Sequence, residues 1–175
     1  MLRKFLLLCL TTFIAAQDFS QPLDLNAYTG KWYQVYGDKF VMSSFEKNAK
    51  CISAEYESLS DNSLSVYNKQ VNPDESTGSI EGYAYCKDPS FPRQLTVVFN
   101  NTGMNGPYWI YELGPIVDNQ YQYSIVSDKY KLSLFVLARD FDNFFKYYNS
   151  KVLQSLENFG FTKTINSPIK TEGCS

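Results

Sequence analysis

Short runs of alternating apolar and polar residues constrain this fold more than any other feature of the chain. Within 51–59, Ile52, Ala54 and Tyr56 alternate with polar neighbours, as in a strand with one buried face. Turn-forming residues such as Asn72-Pro73 separate the runs at hairpin spacing. The eight runs cover 32–37, 51–59, 63–71, 79–86, 94–100, 108–113, 121–126 and 132–139. They predict an antiparallel β-barrel or sandwich.

After Arg139 the apolar period changes from two to three or four, which predicts an amphipathic helix. Asp140 or Asp142 can cap its start and Gly160 its end. Its apolar stripe consists of Phe141, Phe145, Tyr148, Val152, Leu156 and Phe159. We expect this stripe to cover one face of 132–139, which is apolar on both faces. A final strand is predicted over 161–165.

The N-terminus has the basic, apolar and small-residue regions of a secretory signal. We place cleavage after Ala16, so that 1–16 is the signal peptide and 17–175 is a single domain. This predicts a secreted, extracellular protein. An alternative is a bacterial lipoprotein acylated at Cys9, although leucines rather than small residues precede that cysteine.

The chain contains no histidine, the commonest general base near neutral pH, which argues against an enzyme. It excludes Ser-His-Asp and Cys-His nucleophile pairs and histidine ligation of zinc or haem. Without Arg3 and Lys4 the chain has 14 basic and 18 acidic residues. Because there is no basic tract, we expect no nucleic-acid partner. We also expect no metal and no cofactor.

Three cysteines follow the signal: Cys51, Cys86 and Cys174. In a secreted chain an odd number implies one disulfide and one free thiol, and the spacing alone allows three pairings. A bridge from Cys174 would attach the C-terminal tail to the body. Asn100-Asn101-Thr102 is a glycosylation sequon, so Asn100 is a candidate modification site.

The segment Gly30-Lys31-Trp32-Tyr33 begins the first run with a permissive glycine followed by an aromatic residue. If Trp32 closes the bottom of a barrel, a cation should lie across its ring, and Arg139 is a candidate. An alternative is that Gly-x-Trp starts an ordinary strand in an unrelated sandwich.

Three motifs in order resemble the lipocalin family, in particular the group that includes apolipoprotein D, the bacterial outer-membrane lipocalin and the plant temperature-induced lipocalins. The motifs are Gly30 to Tyr33, Val117 to Tyr121 with its Asp118, and Leu134 to Arg139. Phe45-Glu46-Lys47-Asn48 and the segment from Cys51 to Tyr56 resemble the same group. The resemblance covers the whole chain after the signal.

The resemblance implies an all-β fold: an eight-stranded antiparallel up-and-down β-barrel, or calyx, with one C-terminal flanking α-helix. It implies that Arg139 lies over Trp32 and that Cys51 pairs with Cys174. It also implies a monomer that carries a small hydrophobic ligand: a fatty acid, lysolipid, sterol, retinoid or pigment. The loop after the first strand would cross the open end, where Phe40, Met42 and Phe45 form a lid or make weak membrane contact.

In a closed barrel one face of each strand lines the interior, so the alternation predicts the ligand contacts. These residues are Tyr56, Val66, Ile80, Ala84, Leu95, Val97, Phe99, Trp109 and Tyr111. The alternative function is a lipocalin-type isomerase or de-epoxidase. Its best candidate nucleophile is Cys86, with Glu46, Glu112 or Asp118 as acid–base groups, but only Lys87 is a nearby basic residue.

Overall fold

The strands of the computed structural model follow the predicted runs closely. The structure describes residues 17–44, 46–59, 62–100 and 102–174, and the predicted signal peptide lies outside them. The strands are β1 (Gly30–Gly37), β2 (Lys50–Ser58), β3 (Leu64–Val71), β4 (Thr77–Cys86), β5 (Gln94–Phe99), β6 (Asn105–Leu113), β7 (Ile116–Val117), β8 (Gln120–Tyr121), β9 (Tyr123–Ser127), β10 (Leu134–Ala138) and β11 (Ile169–Lys170). The α-helices are α1 (Leu25–Tyr28), α2 (Lys39–Ser43), α3 (Phe141–Asn143) and α4 (Asn149–Phe159).

Eight strands form a closed antiparallel barrel in the order β1, β2, β3, β4, β5, β6, β9, β10. The last of them, β10, pairs back to β1 and closes the cylinder. The pairing of β3 with β4 is unbroken from Leu64 opposite Ala84 to Val71 opposite Thr77. The predicted up-and-down barrel is therefore confirmed.

The predicted helix is confirmed as α3, a π-helical segment (Phe144–Tyr148) and α4, and it packs on the outer face of the barrel. The Asp140 side chain accepts a hydrogen bond from the backbone N–H of Asn143, and Gly160 ends the helix with φ 86°. The π turn shifts the helical phase, and Phe144, which lies outside the predicted stripe, becomes buried. In the described part of the chain, no helix has the length and hydrophobicity needed to span a bilayer.

The C-terminal tail contributes the short strand β11 beside β1. It pairs Lys170 with Tyr36 and Ile169 with Gly37, beyond the point where β1 stops pairing with β2. The predicted final strand at 161–165 is wrong. The Asn166 side chain accepts a hydrogen bond from the backbone N–H of Lys163 and holds this segment in turns instead.

Candidate functional site

Arg139 and Trp32 close one end of the barrel. The guanidinium carbon of Arg139 lies 3.7 Å from the centre of the Trp32 ring, as predicted. Its nitrogens donate hydrogen bonds to the backbone carbonyls of Tyr121 (3.0 Å), Lys31 (2.9 Å) and Ala27 (3.0 Å). Burial lowers the pKa of Arg139 to about 10, so the side chain stays charged near neutral pH. This end of the barrel is therefore a fixed floor.

A network of tyrosine hydroxyls lies inside the barrel just above this floor. The hydroxyl of Tyr108 is 2.7 Å from that of Tyr28 and 3.0 Å from that of Tyr56, and Tyr28 also reaches Ser124 (3.0 Å). Burial raises the pKa of Tyr28 to about 12, so its hydroxyl remains a donor at neutral pH. Sequence reasoning missed Tyr28, because it belongs to the short helix α1 before the first strand, where alternation gives no signal.

The inward-facing side chains change from buried to half-buried along the barrel. Near the floor, Leu64, Ala84 and Leu95 are all at most 3% exposed. Further along the inner faces of β4 and β5, Ile80 and Phe99 are half-buried. Since these side chains point inward near the ends of their strands, their accessible surface lies toward the mouth of the barrel. The barrel is thus packed at the Trp32 end and accessible at the other, which we call the open end.

Polar groups line the accessible half of the interior. The Gln34 amide donates a hydrogen bond to the carboxylate of Glu46, whose residue is 8% exposed. Burial raises the pKa of Glu46 to about 7. On β3, Oδ1 of Asn68 is buried and accepts no hydrogen bond from any described residue. Asn68 lies opposite Ala54 on one side and Ile80 on the other, on the inner face. It is thus a free acceptor inside the barrel.

The segment after β1 forms the short helix α2 where a loop was predicted. The Asp38 side chain caps it by accepting a hydrogen bond from the backbone N–H of Val41 (2.9 Å). Val41 is fully buried, Met42 is half-buried with its sulfur 4.0 Å from the Gln34 amide, and Phe40 is 42% exposed. Phe45 lies outside the described residues. Parts of this segment therefore fold inward while Phe40 faces solvent.

Seven of the nine predicted contacts face the interior: Tyr56, Val66, Ile80, Ala84, Leu95, Val97 and Phe99. Ala84 and Leu95 lie in the packed half, whereas Ile80, Val97 and Phe99 lie where the interior is accessible. The prediction for Trp109 and Tyr111 is wrong. Both face outward against Phe19, at ring-centre distances of 5.0 and 5.2 Å. Strand β6 is apolar on both faces, and Tyr108 and Ile110 occupy the interior instead.

The acid–base groups of the alternative enzyme hypothesis do not converge on Cys86. The Cys86 sulfur donates a hydrogen bond to the Asp88 carbonyl (3.1 Å), and burial raises the pKa of the thiol. Glu112 accepts a hydrogen bond from the Tyr123 hydroxyl (2.6 Å) under the helix, Asp118 is exposed in a turn, and Glu46 is near the open end. A thiol with a raised pKa is a poor nucleophile at neutral pH.

The structure also places the predicted disulfide, the residues of the second motif and the sequon asparagine. Cys51 and Cys174 form the implied disulfide. Asp118 and Asn119, both with positive φ, form the turn between β7 and β8. The Tyr121 hydroxyl accepts a hydrogen bond from the backbone N–H of Asp24 (3.2 Å). Asn100 is exposed in the turn between β5 and β6.

Comparison with protein families and sequences gives a consistent result. The lipocalin-like domain family model matches residues 23–166. Apolipoprotein D of Rattus norvegicus is 34% identical over 90 residues, which are 51% of this chain and 46% of the relative. The match thus spans about half the length of that relative.

Solved structures share the fold at low sequence identity. Lobster apocrustacyanin A1 is 20% identical with a TM-score of 0.62, over 86% of this chain and 79% of that chain. Japanin from Rhipicephalus appendiculatus, bound to cholesterol, is 15% identical with a TM-score of 0.58, over 88% of this chain and 99% of that chain.

Proposed function

Because the chain belongs to the lipocalin family, we propose that it binds a small hydrophobic ligand in the open half of its barrel and carries it outside the cell without chemical change. The observation that carries this proposal is the gradient of exposure along the inner faces of β4 and β5. Ala84 and Leu95 are packed at the floor, whereas Ile80 and Phe99 keep accessible surface near the open end. An apolar, accessible interior above a rigid floor suits a ligand with a hydrophobic body.

The polar lining favours a ligand whose polar end is uncharged. No lysine or arginine is among the buried polar residues of the described chain, whereas Glu46 is buried beside Gln34. A carboxylate would be desolvated there without a positive partner. Asn68 offers an acceptor that lacks a donor. We therefore place sterols and fatty alcohols ahead of free fatty acids as ligands.

Secretion is part of the proposal. Disulfides persist in oxidising compartments, and Cys51–Cys174 joins the barrel to the tail. The signal-like segment 1–16 supports the same route. Expression of the full chain in secretory cells tests it: the expected result is protein in the medium that begins at Gln17. Retention in the cell with an uncleaved N-terminus would contradict it.

Two neighbouring valines on β5 provide a matched test of the ligand site. Val97 faces the interior and Val98 faces outward, and both are half-buried. Val97→Trp should fill the accessible half and weaken binding of an apolar fluorescent probe about 10-fold or more, whereas Val98→Trp should leave it within about 2-fold. Probe titrations on variants with native circular dichroism measure this. Equal affinities for the two variants would place the probe elsewhere.

Asn68→Leu tests the preferred polar end. The substitution removes a buried acceptor without a donor, so stability should rise or stay within about 1 kcal/mol. In Asn68→Leu, displacing the probe with a long-chain alcohol should need about 5-fold or more alcohol than in the wild type. The methyl ether of the same alcohol has no O–H to donate, so the concentration needed to displace the probe should be similar in the two proteins. If the fatty acid displaced the probe from the wild type at lower concentration than the alcohol did, the proposed preference for an uncharged polar end would be wrong.

A further inference from the structure

The outer faces of β2, β3 and β4 are not covered by the C-terminal helix. The helix packs against residues of β1, β6, β9 and β10, including Val35, Tyr111 and Val136. On the opposite side, a groove of about 370 Å³ crosses the sheet surface. The residues that line it are Glu55, Glu57, Ser65, Val66, Tyr67, Glu81, Gly82 and Asn100. Of these, only Val66 is among the predicted ligand contacts, and its side chain faces the barrel interior.

The groove is built on one cross-strand row. Glu55 lies opposite Tyr67, and Tyr67 lies opposite Glu81. The row continues to Asn100, whose backbone N–H donates a hydrogen bond to the carbonyl of Glu81 (2.8 Å). With about 4.8 Å between strands, the row is about 14 Å long. Asn100 therefore stands at one end of a groove that leads away from it across three strands.

The lining has the chemistry that a sugar chain requires. Carboxylates of Glu55, Glu57 and Glu81 accept hydrogen bonds from hydroxyl groups, and the Ser65 hydroxyl can donate or accept. The Lys69 ammonium lies over one face of the Tyr67 ring, 4.6 Å from its centre, and aliphatic C–H groups of a sugar can lie against the other face. Three carboxylates line the groove and disfavour an acidic occupant, whereas the Lys69 ammonium lies over the Tyr67 ring at its edge.

The sequon Asn100-Asn101-Thr102 starts at the end of this groove. Asn100 and Thr102 are both exposed, and the turn leaves the Asn100 side chain among the groove residues. We propose that Asn100 carries an N-linked glycan whose first sugars lie in the groove across Glu81, Tyr67 and Glu55. The glycan is then part of the protein surface. This inference does not depend on which ligand occupies the barrel.

Modification itself is tested with a matched set at Thr102. The full-length protein is secreted from eukaryotic cells behind a heterologous signal, and its mass is measured before and after treatment with an amidase that releases N-glycans. Thr102→Ser keeps the sequon and the hydroxyl, and should remain modified. Thr102→Val and Asn100→Gln both destroy the sequon, and should have the unmodified mass. An unmodified wild type would overturn the proposal.

Contact with the groove is tested by the accessibility of tyrosines. Hydroxyl-radical labelling of Tyr67 should increase about 3-fold or more when the glycan is removed, because the sugars cover its ring. Tyr147, which is 63% exposed on the helix side, is the internal control and should not change. Equal labelling of Tyr67 with and without the glycan would show that the sugars do not lie in the groove.

Release of the glycan under native conditions gives a second measure. Tyr67→Ala should speed enzymatic release about 3-fold or more, because it removes the ring against which the sugars lie. Tyr83→Ala is the matched control, since Tyr83 is exposed on the same outer face but does not line the groove. Equal release rates for the wild type and Tyr67→Ala would show that the sugars do not lie against the Tyr67 ring.

Discussion

At the scale of single residues, Arg139 contributes to stability rather than to binding. It stacks on Trp32 and donates hydrogen bonds to three backbone carbonyls at the floor. The stacking contributes about 0.5–2 kcal/mol and each of the three hydrogen bonds about 1 kcal/mol, so Arg139→Ala should cost about 3.5–5 kcal/mol. For a domain of this size the melting temperature should fall by about 7–20 °C.

Ligand affinity should stay within a few fold in Arg139→Ala, because the floor lies away from the open end. Arg93→Ala is the control, since the Arg93 guanidinium donates to one carbonyl of the described residues, that of Pro22 (3.2 Å). Calorimetry and probe titration measure the two quantities. A variant with normal melting temperature and lost affinity would place Arg139 in the ligand site instead.

Glu46 should make stability depend on pH. Burial raises its pKa in the folded chain from about 4.5 to about 7. As the pH rises between these values, the unfolded chain loses the proton first, so the free energy of unfolding falls. The full effect is about 3 kcal/mol. Glu46→Gln, which cannot ionise, should remove this loss.

The measurement is urea unfolding at pH 5, 6 and 7.5. Asp38 remains in the variant with its pKa raised by burial to about 6, so a smaller decline of the same sign should persist. Glu157→Gln, on the exposed face of α4, is the control for loss of one carboxylate. Parallel pH profiles for wild type and Glu46→Gln would contradict the prediction.

At the scale of elements, alternation predicts faces only where one face is polar. In β4 the residues next to Ile80 and Ala84 are polar or exposed, and the inward face was correctly predicted. In β6 every residue from Tyr108 to Tyr111 is apolar or aromatic, and a bulge between Ile110 and Glu112 shifts the register. The sequence therefore could not distinguish the two faces.

The entrance segment α2 gives a prediction at this scale. Phe40 is exposed and Met42 half-buried beside the open end, so the proposed membrane contact requires Phe40 above all. If it exists, Phe40→Ser/Met42→Ser should float less with liposomes than the wild type. The control is Ile116→Ser/Val117→Ser, which removes two exposed apolar residues from the floor end.

Liposome flotation at several lipid concentrations separates the alternatives. Loss of flotation in the entrance variant alone would support contact through the open end. Equal flotation of both variants and the wild type, or none for any of them, would leave α2 only as a lid over the barrel.

At the scale of the whole molecule, the order of short strands and one helix predicted an antiparallel barrel or sandwich, and the resemblance to lipocalins selected the barrel with Arg139 over Trp32. The contacts made by the segment before the first strand were not predicted. Tyr28 and Phe19 come before the first strand, yet Tyr28 fills the floor and Phe19 covers Trp109 on the outside. Such contacts depend on where the closed barrel leaves space, which a local period does not specify.

The C-terminal tail is joined to β1 by β11 and to β2 by a disulfide, which should stabilise the whole molecule. Cys51 and Cys174 are 123 residues apart in sequence, so the bridge closes a long loop. Cys174→Ser should therefore cost about 2–4 kcal/mol. The tail should also loosen, because Thr171 and Glu172 are otherwise held by two backbone hydrogen bonds of 3.1 Å to Val35 and Cys51, the Thr171 hydroxyl bonded to the Gln34 carbonyl and an exposed Lys50–Glu172 ion pair. Hydrogen exchange at 169–172 should accelerate about 10-fold or more. Cys86→Ser, which removes the free thiol, is the control. It should change the free energy of unfolding and the exchange rate at 169–172 much less than Cys174→Ser does. Unaltered melting and exchange in Cys174→Ser would mean that β11 holds the tail without the bridge.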